Sequence, residues 1–493
     1  MSHWRPPTRP TKVSNREIKN FVLPSLLASL VCLFVFLNVG MFSRANHEMQ
    51  SAEVVNLPAE NPSEQLNHVY TPSRPIFIAP EELQNVHAHS REIVRFVDRI
   101  SAPKSCGLEQ MTVGSWVPKD RPFSTLKDVL MGKESQTTLE CDGPPKRVAE
   151  IASYDFIPLS ETKKTCQRWK WDALEVIRFL LTMDDGMFII GDSLSQQFFH
   201  ALKVMLGLGV DVTEYVGRTT MTKNGKKLEL VKTIALHPTS ELRSTLLKHG
   251  EFTEERLQNP LVTLLRSHHL ASNKELGDWI PNYGNDLPTN RDGFPYGSDI
   301  DWYGVLQTVA NRIEAKRVTK GDAGPKTVAL VSTGAHWGAR QFRNINETTQ
   351  EEAMVTGFTK MVSTTLSRLS TLPNIRVVVR GLNSVSVPCS QELGQKPSSE
   401  STATYQRNQK AQSYNYGLFE TFDNIWKRGV SAYQKQLTTR AEGTPVEWFD
   451  QAQLMGPRTD AGKGPVRGDC LHVCLPAMYE SVRMIMGHLI QTQ

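Results

Sequence analysis

From residue 186 to the C-terminus, short apolar runs alternate with stretches of helical period, and this alternation narrows the fold more than any other property of the chain. GMFIIGDS (186–193) is an apolar run ending in a turn. LSQQFFHALKVML follows, with Leu194, Phe198, Ala201, Leu202 and Met205 on one helical face. KTVALVSTGAH (326–336) and IRVVVRGL (375–382) read as buried strands. Between them, Val355, Phe358, Met361, Val362, Leu366 and Leu369 mark a helix, and Val305, Val309 and Ile313 mark one ahead of the first strand. Met478, Val482, Ile485, Met486 and Leu489 mark a last helix. The pattern predicts an α/β domain, a mainly parallel sheet covered by helices on both faces. Residues 215–237, with Asn224-Gly225 between alternating segments, read as a β-hairpin inserted into that scheme.

The N-terminal part is of another kind. Phe21 to Phe42 carries no charge and is long enough, as a helix rising about 1.5 Å per residue, to cross a hydrocarbon core of roughly 30 Å. Arg5, Arg9, Lys12, Arg16 and Lys19 precede it, and Glu48, Glu53 and Glu60 follow. That asymmetry predicts a type II signal anchor with the long C-terminal part in the lumen. The expected division is a cytosolic tail (1–20), a transmembrane anchor (21–42), a proline-punctuated stem (43–95) and a lumenal catalytic domain (96–493). Six cysteines lie on the lumenal side, Cys106, Cys141, Cys166, Cys389, Cys470 and Cys474. An even set in an oxidising compartment suggests disulfides, with the pairing open. Asn346 opens an Asn-x-Thr glycosylation triplet. The net charge of +5, on 493 residues, gives no reason to expect a nucleic-acid partner.

Two segments carry candidate chemistry. Gly191-Asp192-Ser193 stands where a strand passes into a helix, and a helix N-terminus offers unpaired N–H groups and positive partial charge beside a nucleophile. Gly191 lets the chain turn tightly there. The competing reading is structural: Ser193-Leu-Ser-Gln196 fits a capping box, and a serine before a helix is usually a cap. Asp469-Cys470-Leu471-His472 lies just before the last helix, and a serine nucleophile needs a base whose tautomer is fixed by an acceptor. Cys470, His472 and Cys474 could also suggest zinc, but lumenal cysteines favour disulfides and no second ligand cluster is near, so no metal is expected.

Together, GDS at a strand-to-helix turn and a C-terminal D-x-x-H are similar to the arrangement in SGNH (GDSL-type) esterases. Cys166-Gln-Arg-Trp-Lys-Trp171 stands before GDSLSQQ, Thr333-Gly-Ala-His-Trp337 ends a strand, and Arg458-Thr-Asp460 precedes Gly468-Asp-Cys-Leu-His-Val-Cys-Leu-Pro476. In this order, from about Cys106 onward, the set resembles the trichome-birefringence-like, PC-esterase family of polysaccharide O-acetyltransferases. Val473 stands where that family usually has Trp, and Ala477 where Gly is common.

The resemblance implies an SGNH-like three-layer αβα sandwich in the Golgi or endoplasmic reticulum lumen. It implies Ser193 as nucleophile, His472 as base and Asp469 as its acceptor, with Gly191, Asp192, Gly334, His336 and Arg266 as oxyanion or supporting residues. It further implies the pairings Cys389–Cys470, Cys166–Cys474 and Cys106–Cys141. Gly284-Asn285-Asp286 lacks the spacer of the family's G-x-N-D block and is set aside. The implied reaction moves an acetyl group onto a polysaccharide or glycan hydroxyl, with no bound cofactor. Acetyl-CoA or a carried acetyl intermediate is the co-substrate, and a transporter partner is implied because cytosolic acetyl-CoA does not reach a lumen unaided. An acetyl esterase with the same triad, or a silent glycan-binding protein, are the alternatives.

Overall fold

The computed structural model describes residues 107–492, apart from 131–138, 143, 163–167, 222–226, 281–299, 321–326, 339–349, 384–396, 398–414, 441–443 and 465–468. The expected anchor and stem, and Cys106, Cys166, Asn346, Cys389 and Gly284-Asn285-Asp286, lie outside these residues.

The centre is a seven-stranded sheet of β3 (Met187–Gly191), β4 (Val212–Val216), β7 (Val231–Leu236), β8 (Val262–Arg266), β9 (Thr327–Ser332), β10 (Ile375–Arg380) and β11 (Val446–Phe449), in the order β11-β10-β9-β3-β8-β7-β4. The small strands β1 (Gly114–Pro118) and β2 (Tyr154–Pro158) form a separate pair, as do β5 (Thr219–Met221) with β6 (Lys227–Glu229) and β12 (Gly462–Gly464) with β13 (Asp469–Val473). Six described helices have ten or more residues: α1 (Ala173–Thr182), α2 (Ser193–Gly209), α3 (Trp302–Lys320), α4 (Gln350–Ser370), α5 (Phe419–Arg440) and α6 (Leu475–Gln491). The strands and helices expected around 187–209, 302–332, 350–380 and 475–491 are all present.

Period-two alternation along the central strands explains the layering. Met187 and Ile189 join the core formed with α1, α2 and α6. Phe188 and Ile190 join the core formed with α3, α4 and α5. Both faces of β3 are therefore covered, and its five residues are all buried.

The expectation of a mainly parallel sheet behind one transmembrane helix does not hold as stated. The sheet is mixed: β11 to β8 run parallel, whereas β7 pairs antiparallel with β8 and β4 antiparallel with β7. The 215–237 segment is the cause. Instead of standing apart as an insertion, it returns as β7, whose six residues are all buried, and joins the sheet beside β8. Its β5 and β6 pair antiparallel with each other, and the Asn224-Gly225 turn expected between them lies outside the described residues. Among the described residues no helix is long and apolar enough to cross a membrane.

Candidate active site

The register of three neighbouring strands sets the site. Gly191 is the partner of Arg266 on β8 and of Ser332 on β9, so the chain leaves all three strands at one edge of the sheet. Ser193, His268, His269, Thr333, Gly334 and His336 follow directly after those ends. Gly191 adopts φ +148°, and a Cβ there would lie 1.8 Å from the Ser332 carbonyl oxygen. Only glycine lets β3 end this close to β9. A Cβ on Gly334 would press on the Leu382 side chain at 2.6 Å.

Asp192, and not Ser193, caps α2: its Oδ1 accepts from the Leu194 N–H at 2.9 Å. The capping-box reading of Ser193 is thereby replaced. Ser193 is the first helical residue, and its hydroxyl turns out of the helix to lie 2.8 Å from His472 Nε2 on β13. That is hydrogen-bond distance for a hydroxyl donating to a neutral imidazole. Ser195, by contrast, is buried and donates at 3.3 Å to the Ile190 and Ser332 carbonyls, a packing role.

The residues around this pair hold it in place. Arg266 donates to Gln196 Oε1 at 2.9 Å, tying the end of β8 to the first turn of α2. The Ser267 N–H donates to the Gly191 carbonyl, Thr333 Oγ1 to the His268 carbonyl, and His269 Nε2 to the His336 carbonyl. The His268 and His336 rings meet edge-on at 4.4 Å. Burial, followed by the nearby His268, His269, Arg266 and His472, holds the His336 imidazole well below its ordinary pKa, so it is neutral near pH 7. Burial raises the Asp192 carboxyl, and the Leu194 N–H, His268, Arg380 and His472 oppose that rise. Arg380, at the end of β10, is buried with no hydrogen-bond partner for its guanidinium among the described residues, and burial lowers its pKa to about 10 against the pull of Asp192 and Asp423.

Arg266, Gly334 and His336 thus lie at the same sheet edge as Ser193. Asp469 belongs to β13 with His472, but its side chain, like that of Cys470, lies outside the described residues. Two quoted motifs are structural struts. Arg458 forms a buried bidentate pair with Asp460 and donates to the Ile151 carbonyl at 2.7 Å. Trp169 donates to Glu175 at 2.9 Å and packs against Gly487 of α6.

The disulfide expectation is corrected. Cys141 is bonded to Cys474, not to Cys106, and Cys474 is therefore not joined to Cys166. Cα atoms only 4.6 Å apart make this bond geometrically natural. It also takes the Cys474 sulfur out of any metal site, and no cluster among the described residues has the makings of one.

Models of known protein families show no match to the chain, and neither do curated protein sequences.

Sequence reasoning missed His268, Glu140, Gln197 and Arg380. A histidine pair closing an apolar strand, Arg266-Ser-His-His269, was the available signal for the first.

Proposed function

We propose that this chain is a serine acyltransferase, an O-acetyltransferase that passes an acetyl group from Ser193 to a glycan hydroxyl. The observation that carries the reading is the 2.8 Å contact between Ser193 Oγ and His472 Nε2 at a helix N-terminus on the strand-end edge of the sheet. In this mechanism His472 takes the hydroxyl proton as Ser193 Oγ attacks the acyl carbonyl. The first-turn N–H of Ser193 has no acceptor within the helix and faces the developing oxyanion. Collapse of the tetrahedral species expels the donor's leaving group, which takes the proton from His472. A sugar hydroxyl then gives its proton to His472 and attacks the acetyl-serine, and collapse of the second tetrahedral species expels Ser193 Oγ, which takes that proton back from His472 as the acetylated sugar leaves. Asp469 is proposed as the acceptor that orients His472, and the ordered motifs quoted above suggest the polysaccharide O-acetyltransferase family. The Cys141–Cys474 disulfide supports an oxidising compartment, in keeping with a Golgi or endoplasmic reticulum lumen.

The test uses the purified full-length chain, an activated acetyl ester and a panel of oligosaccharides. Acetyl release should fall by about 10³-fold or more in S193A and H472A. Acetylated sugar should appear at the expense of free acetate. Release of acetate alone, serine-dependent but indifferent to sugars, would reassign the protein as an esterase. Equal activity in S193A would remove the enzyme reading altogether.

A further inference from the structure

Ser193 and Gln197 are four residues apart and so share one face of α2. Ser193 meets the His472 side chain, and Gln197, one turn on, meets the backbone of the next residue. Its Nε2 donates to the Val473 carbonyl at 2.8 Å, and its Oε1 accepts from the Val473 N–H at 3.2 Å. The side-chain amide thus closes both backbone groups of Val473, as a neighbouring strand would.

The amide is itself held. Gln197 Nε2 donates a second bond to Glu140 Oε2 at 2.9 Å, and the other Glu140 oxygen is bound by His200 Nδ1. Burial would raise the Glu140 carboxyl, but the bonds from His200 and Gln197 outweigh it and hold it below its ordinary value. Glu140 sits at φ 49°, a backbone region uncommon for a residue other than glycine. Its neighbours are anchored to the same strand end: the Leu475 N–H donates to the Leu139 carbonyl, and Cys141 is bonded to Cys474. Gln197 is buried, and a buried amide with all these bonds made adopts one orientation.

We infer that Gln197, oriented by Glu140, is a positioning residue that sets His472 against Ser193. This rests on the reading of Ser193 and His472 as nucleophile and base. The amide does not touch the reacting atoms. It fixes where β13 lies along α2, and hence the separation on which proton transfer depends.

The full-length protein is labelled with a fluorophosphonate, in which Ser193 Oγ bonds to phosphorus, fluoride leaves and His472 takes the proton. The near-isosteric Q197M removes the bonds to Val473 and should slow labelling about 10- to 100-fold. In an H472A background it should slow labelling no further, because the residue acts only through His472. Q197E, which loses the amide donor and faces the Glu140 carboxylate, should be slow as well, and E140Q with Q197E should recover part of the rate, because the new amide at 140 removes the repulsion and donates to the carboxylate at 197, holding it where it accepts from the Val473 N–H. Wild-type labelling in Q197M, or an equal loss in the H472A background, overturns the inference. If the wild type itself is not labelled, the acyltransferase reading fails. Imidazole NMR then decides the positioning claim alone: the His472 signal should respond to S193A in the wild type and lose that response in Q197M. A response of the same size in both would overturn it.

Discussion

Replacing Gly191 by alanine tests whether the spacing of β3 and β9 positions Ser193, the proposed nucleophile. The added Cβ would lie 1.8 Å from the Ser332 carbonyl oxygen and 2.4 Å from Ser195 Oγ. A Cβ is essentially never found under 3.0 Å, so strand end and carbonyl must separate by at least 3.0 − 1.8 = 1.2 Å. Ser332 presents backbone, bonded into the sheet through β9, and cannot swing aside as a side chain would. Overpacking of this kind costs about 1–3 kcal/mol, and an alanine forced to this φ adds about 1–3 kcal/mol. The sum is about 2–6 kcal/mol, a large part of the stability of a domain. Relaxation passes to Asp192 and Ser193, the next two residues, and a displacement of ~1 Å there breaks the 2.8 Å contact with His472 and lowers reactivity about 10²-fold. Gly250 provides the control. It also has positive φ, +66°, but an added Cβ would have nothing within 4 Å. G250A should cost about 1–2 kcal/mol and leave fluorophosphonate labelling unchanged. Urea unfolding and labelling rates measured on both variants decide the matter. If G191A matches G250A in stability and labels like the wild type, the strand spacing does not position Ser193.

Two other outcomes follow from charge and cross-linking. His336 is held neutral in the folded state well below its usual pKa, whereas the unfolded chain takes up a proton near 6.5. The unfolded state therefore binds more protons below that pH, and stability should fall by about 1.4 kcal/mol per unit as pH drops from about 6.5. Urea midpoints at a series of pH values should show this slope in the wild type and a flatter one in H336Q; the same slope in both would assign the proton elsewhere. The Cys141–Cys474 bond closes a loop with a sequence separation of 333 residues. C141S/C474S should lose about 2–4 kcal/mol, and a variant with wild-type urea stability would show that the bond adds nothing beyond the Leu139–Leu475 and Gln197–Val473 contacts.

The legible part of this fold was the part written in local periodicity. The runs at 187–191, 327–332 and 375–380 are almost wholly buried, and the helix at 350–370 carries one apolar stripe, so each declared itself. Sheet order is not local. Nothing in the alternation of 215–237 says whether its second arm stands free or lies down beside β8, and that choice made the sheet mixed. At the site, Ser193 and His472 stood out because the GDS turn and the D-x-x-H segment are distinctive in sequence, and they lie 2.8 Å apart in the fold. Which residue capped α2 was not readable, because Asp192 and Ser193 are both good caps and only the turn geometry separates them. Gln197 was invisible for another reason. A glutamine in a helix reads as surface, and its partners lie 57 and 276 residues away. Cysteine parity likewise predicted cross-links but could not choose Cys474 for Cys141.

The proposed function stands or falls with Ser193 as a nucleophile made reactive by His472. The most direct measurement is mass spectrometry of the peptide containing Ser193, after brief exposure of the full-length protein to an acetyl ester and acid quenching. The expected result is an acetyl group on Ser193 that is absent in H472A and that disappears when an acceptor sugar is added. An adduct that forms equally without His472, or no adduct on Ser193 while acetyl transfer proceeds, would contradict it.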